Sequence, residues 1–134
     1  MHKEVKRFCE SIKSRFISHF KTEYWGSSIL IMEKRGKAFM HVYWYNDDNT
    51  TIYLESLSVL SKFRNQGIGA EMLSIAEIIG VKLRATTVCL WVLWVREDTW
   101  VHDWYIRIGY KDWKDHETEI NAVWMKKAIV SNGC

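Results

Sequence analysis

Arg64-Asn65-Gln66-Gly67-Ile68-Gly69 stands directly after a strand-like run and directly before an apolar-periodic segment. Glycine weakens a helix and lets backbone come close to another group. A helix N-terminus offers unpaired N–H groups and the positive end of the peptide dipole. Two glycines at such a point, with Arg64 beside them, predict an anion held on the backbone of Gln66 to Ala70. A tight turn whose glycines serve packing is the competing reading. Two common phosphate motifs fail on specific residues. A Walker loop needs Lys and Ser/Thr after its second glycine, where Ala70 and Glu71 stand. A dinucleotide fingerprint needs a third glycine, where Met72 stands, and it opens a βαβ unit rather than following a meander.

Other reactive side chains are less productive. His41 and His102 have no nucleophile or metal-like partner at suitable spacing. His41 reads as a strand residue with a local hydrogen bond, and His102-Asp103 as the outer face of a short helix. The three cysteines, Cys9, Cys89 and Cys134, are far apart and form no CxxC pair. That argues against a disulfide framework and structural zinc, and for a reducing compartment. No metal site is expected. Eight tryptophans and six tyrosines belong mostly to a core, with Trp44, Trp91, Trp94 and Trp100 as candidates to shape a cleft.

The elements that must carry these residues follow from periodicity. Val5, Phe8, Cys9, Ile12, Phe16 and Phe20 keep the three-four spacing of one helix. "SILIMEK" and "KAFMHVYWY" flank the Arg35-Gly36 turn, and "TTIYLESLSVL" follows a second turn at Asn46 to Asn49. Those three strands make an antiparallel meander. A long helix after the glycine turn carries Met72, Leu73, Ile75, Ala76, Ile79 and Leu83 on its apolar side, with Gly80 as an interior packing glycine. "TTVCLWVLWV" is apolar on both faces and should be central. "DTWVHDWYIRIGY" reads as a short helix with Asp98 as N-cap and Gly109 at C′. Tyr110 to Trp113 and "INAVWMKKA" complete the sheet. The predicted order is α, β, β, β, α, β, α, β, β over a single domain spanning 1–134. It is an α/β fold with a mixed, mainly antiparallel sheet flanked by helices.

The chain as a whole limits the function classes. At 134 residues with net charge +3, its basic residues are scattered, so no nucleic-acid stripe is expected. The longest apolar run, Val88 to Val95, is far too short for a membrane span, and the N-terminus has no apolar signal core. A soluble, cytoplasmic protein is expected.

Two blocks taken together resemble the GNAT superfamily of N-acetyltransferases. They are "LSVLSKFRNQGIGAEML" and "DTWVHDWYIRIGY", with the strand "VCLWV" between them. In that family the second block commonly reads N-x-x-A-x-x-[FL]-Y-x-x-x-G-[FY], and Asp98, Val101, Trp104, Tyr105, Gly109 and Tyr110 fall on those positions. The resemblance runs from Ile29 to the C-terminus. The opening is shortened, with one helix and the customary first strand missing. Ser61 replaces a frequent proline, and Asp98 replaces the asparagine, which removes a hydrogen-bond donor at that position.

The resemblance implies acetyl-CoA as co-substrate and a primary amine as acceptor, on a small molecule or on a peptide or protein. It implies that Arg64, Asn65, Gln66, Gly67, Ile68, Gly69 and Ala70 hold the pyrophosphate. Lys62 could add charge. Leu57, Ser58 and Val59 hold the pantetheine arm through backbone groups, and Asp98 and Tyr105 add cofactor contacts. It further implies that this strand splays from "VCLWV", and that Tyr105 is the general acid for the leaving thiolate. Glu55 is the candidate base; period-two alternation places Tyr53, Glu55, Leu57 and Val59 on one face. Some family members carry a glutamate in the next strand, where Leu93 stands here. The alternative is a catalytically weak acyl-CoA-binding or interaction module on the same fold. A homodimer is one of the assemblies left open.

Overall fold

The computed structural model describes residues 3–22, 26–93, 99–113 and 122–129. Helix α1 (Lys3–Ser11) leads into strand β1 (Ile17–Thr22). The meander follows as β2 (Ser27–Lys34), β3 (Ala38–Tyr45) and β4 (Asp48–Val59), and a short helical turn at Ser61–Phe63 leads to α2 (Ile68–Lys82). Then come β5 (Thr87–Leu93), α3 (Thr99–Arg107), β6 (Lys111–Asp112) and β7 (Ala122–Ala128). One seven-stranded sheet runs in the order β1-β2-β3-β4-β5-β7-β6, with β4 and β5 its parallel pair.

The opening differs from expectation. The helical stripe stops at Ser11, whose hydroxyl bonds back to the Phe8 carbonyl at 2.6 Å, and a turn bonds Phe16 N–H to Ile12 O at 3.0 Å. Residues 17–22 then pair with β2 in a six-residue antiparallel register. The first strand is therefore present. Phe16 and Phe20 mimic a helical continuation, but Phe16 closes the core from the turn and Phe20 sits 37% exposed on an edge strand. Ladder bonds to β2 outweigh one more helical turn that would bury little.

Ala38, Met40, Val42 and Trp44 of β3 face the helices and are buried, while Phe39, His41, Tyr43 and Tyr45 face the other way. Met72, Leu73, Ile75, Ala76 and Ile79 of α2, Val5 and Cys9 of α1, and Tyr105 of α3 belong to the same core, so all three helices cover one face of the sheet. Gly80 does pack inside α2: a Cβ there would lie 2.6 Å from Ile129 Cδ1 and 3.2 Å from Ile52 Cδ1. Among the described residues no helix is long and apolar enough to cross a membrane.

Strand β4 carries the feature that shapes the site. His41 pairs with Ser56, but its neighbour Val42 pairs with Leu54, so Glu55 is an extra, unpaired residue in a β-bulge. The bulge breaks the period-two alternation. Ile52 and Leu54 face the core before it, and Leu57 and Val59, paired with core-facing Met40 and Ala38, face the core after it. Tyr53 stands on the opposite face, stacked on Tyr43 at 5.0 Å. The expected common face for Tyr53, Glu55, Leu57 and Val59 is thus corrected. Pairing of β4 with β5 ends at Leu54–Leu90, directly before the bulge. Beyond it β4 stays with β3 and β5 stays with β7, so their facing edges open.

Candidate active site

Strand β4 beyond the bulge, the turn after it, the first turn of α2 and one side of α3 surround a cavity of about 370 Å³. The turn is built for close approach. Asn65 and Gly67 both have left-handed backbones, at φ 65° and 79°, and Gly67 is the N-cap of α2. A glycine cap has no side chain to satisfy the first N–H groups of the helix, and no side-chain cap bond is present. The N–H groups of Ile68, Gly69 and Ala70 are left for something in the cavity, which those residues line together with Arg64, Asn65 and Gly67. Gln66 is outside the lining. Gly69 has ordinary helical geometry; a Cβ there would sit 3.7 Å from the Trp104 ring and 3.8 Å from Val59, a normal contact.

Two cations reach the cavity. Arg64 donates Nε–H to the Val59 carbonyl at 3.2 Å, which fixes its guanidinium between the open strand edge and the glycine turn. Arg107, at the last turn of α3, also lines the cavity and was not anticipated. Lys62 is not part of the lining; its ammonium lies 5.4 Å over the Phe63 ring. The spacing Trp100, Trp104, Arg107 on α3 is a helical stripe, and it was the sequence signal for that wall. Trp100 is 51% exposed at the cavity. Trp44 is fully buried in the core, Trp91 lies on the far sheet face, and Trp94 lies outside the described residues, as does Asp98.

The strand edge offers backbone groups. Leu60 N–H bonds Lys37 O at 2.9 Å. Ladder alternation then turns the groups of Ser58 toward β3, and those of Leu57 and Val59 toward the open edge. Leu57, Ser58 and Val59 all line the cavity, with the Val59 carbonyl already engaged by Arg64.

Tyr105 closes the inner end. It is only 7% exposed, packed edge-on against Trp104 at 4.9 Å and Tyr110 at 5.7 Å, and it lines the cavity. Burial pushes its phenol up to about 12, so it holds its proton throughout the neutral range. Its backbone is fixed by a Schellman end to α3, with Tyr110 N–H on Tyr105 O at 2.9 Å and Gly109 at φ +105° in the C′ position. Tyr110 is in turn held by Glu77 of α2 at 3.2 Å, and Lys127 of β7 bonds the same carboxylate at 3.1 Å. His102 does not face outward. It is mostly buried and bonds Asp112 at 2.7 Å, tying α3 to β6. Its partner lies ten residues away on another element, beyond what local spacing reveals. His41 lies against Phe39, with ring centroids 5.7 Å apart.

Glu55 does not line the cavity. It is exposed at the bulge, and its charge adds to the burial that pushes the Tyr43 phenol up to about 12. Tyr105 and Glu55 therefore stand on opposite sides of the opening between β4 and β5.

A splayed parallel pair, a bulge, and a glycine-capped helix meeting the open edge define a class of acyltransferase folds. The family model described as "Acetyltransferase (GNAT) domain" matches residues 25–112, and the chain belongs to that family. No curated protein matches the chain closely enough to count as a relative. Solved structures match its fold. The paia N-acetyltransferase of Thermoplasma acidophilum, in complex with coenzyme A, is 20% identical over 77% of this chain and 61% of that one, with TM-score 0.59. A GNAT family acetyltransferase from Elizabethkingia anophelis with acetyl-CoA bound is 13% identical over 86% and 99%, with TM-score 0.60. Ard1 from Thermoplasma volcanium is 16% identical over 76% and 70%, with TM-score 0.60.

Proposed function

We propose that this chain transfers an acetyl group from acetyl-CoA to a primary amine by direct attack of the amine on the thioester. The observation that carries it is convergence: the uncapped first turn of α2, the open edge of β4 and the buried Tyr105 phenol meet in one cavity. Two fold neighbours crystallised with coenzyme A or acetyl-CoA support the same co-substrate. Free, buried Cys9 and Cys89 suit a reducing, cytoplasmic setting.

The donor set fits a pyrophosphate and an amide-bearing arm. Ile68, Gly69 and Ala70 N–H groups, with Arg64 and Arg107, hold the anion. Leu57 and the Val59 N–H pair with the arm as a strand partner would. Acetyl-CoA supplies the thioester whose carbonyl carbon the amine attacks. An N–H of the open strand edge stabilises the developing oxyanion. Tyr105 donates its proton to the departing thiolate, and Glu55 receives the proton the ammonium must lose.

The test is release of free CoA from acetyl-CoA over a panel of amines, for the wild type and Tyr105→Phe. The phenylalanine keeps the ring and its packing, so the expected loss is in turnover, roughly tenfold or more, with acetyl-CoA affinity kept. Acetyl-CoA binding without turnover of any amine would instead make the chain an acyl-CoA-binding module.

A further inference from the structure

Behind Tyr105, outside the cavity lining, a phenol, a carboxylate and an ammonium meet in a part of the molecule that apolar side chains could fill. Tyr110 is 2% exposed and donates its hydroxyl to Glu77 Oε2 at 3.2 Å. Lys127 reaches both oxygens of the same carboxylate, at 3.1 and 3.3 Å, and its ammonium lies 5.6 Å over the Tyr110 ring. The lysine stem runs close past Gly109, where a Cβ would lie 3.1 Å from Lys127 Cε. Burial, and then the Glu77 charge, push the Tyr110 phenol above its ordinary range, so it keeps its proton and stays the donor. A phenylalanine in place of Tyr110, with an apolar residue in place of Glu77, would fill the same space without the desolvation that these groups cost. What the polar groups add is a fixed geometry.

That geometry ends at Tyr105. The Tyr110 ring meets the Tyr105 ring edge-on at 5.7 Å, and Tyr110 N–H bonds Tyr105 O at 2.9 Å. The other ring partner of Tyr105 is Trp104, its neighbour on α3, which moves with it. Tyr110 is the ring contact that ties Tyr105 to the rest of the molecule. Glu77 stands on α2, the helix whose first turn opens into the cavity, and Lys127 on β7, the strand that pairs with β5 beside the opening. Resting on the acetyltransfer reading above, we propose that Glu77 is a positioning residue: through Tyr110 it fixes the Tyr105 phenol relative to α2, and so relative to the sulfur of the acetyl-CoA that α2 holds. It touches neither substrate nor cofactor. The departing thiolate belongs to a molecule anchored on α2, and the acid that meets it stands on α3. One carboxylate tied to both helices sets the spacing on which proton transfer depends.

The experiment is a double-mutant cycle, run with whichever amine of the panel the wild type turns over best. It follows kcat, the KM for acetyl-CoA and the circular dichroism of each variant. Tyr110→Phe keeps the ring and removes the tie, so kcat should fall roughly tenfold while the KM for acetyl-CoA stays within about twofold. Glu77→Leu should match it, and Glu77→Gln, whose amide oxygen still accepts from Tyr110, should recover most of kcat. In a Tyr105→Phe background no hydroxyl is left to position, so adding Tyr110→Phe should cost less than about twofold more. A purely structural tie would cost as much there as in the wild type. Tyr110→Phe carries the test alone if Glu77→Leu does not fold. Equal losses in the two backgrounds, an unchanged kcat in Tyr110→Phe, or Glu77→Gln as slow as a folded Glu77→Leu would each overturn the inference and keep the acetyltransfer reading. Wild-type protein that turns over no amine would overturn that reading, and the inference with it.

Discussion

At the scale of single residues, the proposed mechanism gives Glu55 the role of base and Tyr105 that of acid, on opposite sides of the opening between β4 and β5. Glu55→Gln should lower turnover at neutral pH, with partial recovery as pH rises and more amine is neutral before it binds. A pH profile of kcat/KM reads this directly; a profile unchanged by the substitution would assign deprotonation to water. Tyr105, pushed up to about 12 by burial, keeps its proton across an ordinary assay range, so it should add no falling limb between pH 7 and 9. Both residues stood out as candidates in the sequence, Tyr105 through a motif and Glu55 through its place before the glycine turn, and the structure puts Tyr105 in the cavity lining and Glu55 outside it. Their sides were not legible there. A bulge inserts one residue and reverses every later side chain on the strand, and no local pattern in "LESLSV" betrays the register shift with His41 and Val42. Arg107 escaped notice because a lone cation at a helix end is ordinarily a solvated group.

At the scale of elements, α2 shows how backbone conformation is satisfied at both ends. Its start requires Gly67 at φ 79°, with nothing within 4 Å of a Cβ there, so any other residue is strained by conformation rather than by crowding. Its end uses Arg84 at φ 64°, with Ala85 N–H on Gly80 O at 2.8 Å and Arg84 N–H on Val81 O at 3.0 Å. This is a Schellman end without its usual glycine. Arg84→Gly should therefore stabilise the fold by about 1 kcal/mol, a rise of a few degrees in Tm. Gly80→Ala should do the reverse. A methyl 2.6 Å from Ile129 Cδ1 and 3.2 Å from Ile52 Cδ1 forces those side-chain ends to shift, and this overpacking outweighs the roughly 1 kcal/mol that alanine gains in helix propensity, for a net loss of about 1 kcal/mol by chemical denaturation. Gly80 was readable because the apolar stripe ran past it to Leu83. Strand β1 was not, because Phe16 and Phe20 fall four apart and extend a helical pattern that the chain does not follow. Pairing between distant segments, here Ile17 to Thr22 against Glu33 to Ser28, leaves no trace in a local window.

At the scale of the whole molecule, several buried groups share one direction of titration. Tyr43 and Tyr105 are each pushed up to about 12 and Cys89 to about 11, chiefly by burial. The folded chain thus retains protons that the unfolded chain releases near 10 for the phenols and 9 for the thiol. Stability from these groups is complete below about pH 9 and is lost as pH rises through the folded values. Tm should be level in this respect from pH 7 to 9 and fall steeply above pH 10, and Tyr105→Phe should lessen the alkaline fall. The overall fold was largely legible, since strand order and crossover follow from periodicity and turn chemistry over most of the chain. The central claim is that the cavity at the start of α2 holds acetyl-CoA. Calorimetric titration of acetyl-CoA into the wild type and into Gly67→Val tests it most directly. Saturable one-to-one binding to the wild type, abolished in a Gly67→Val protein that retains its circular dichroism, is the predicted result; binding of equal affinity to both, or to neither, would contradict it.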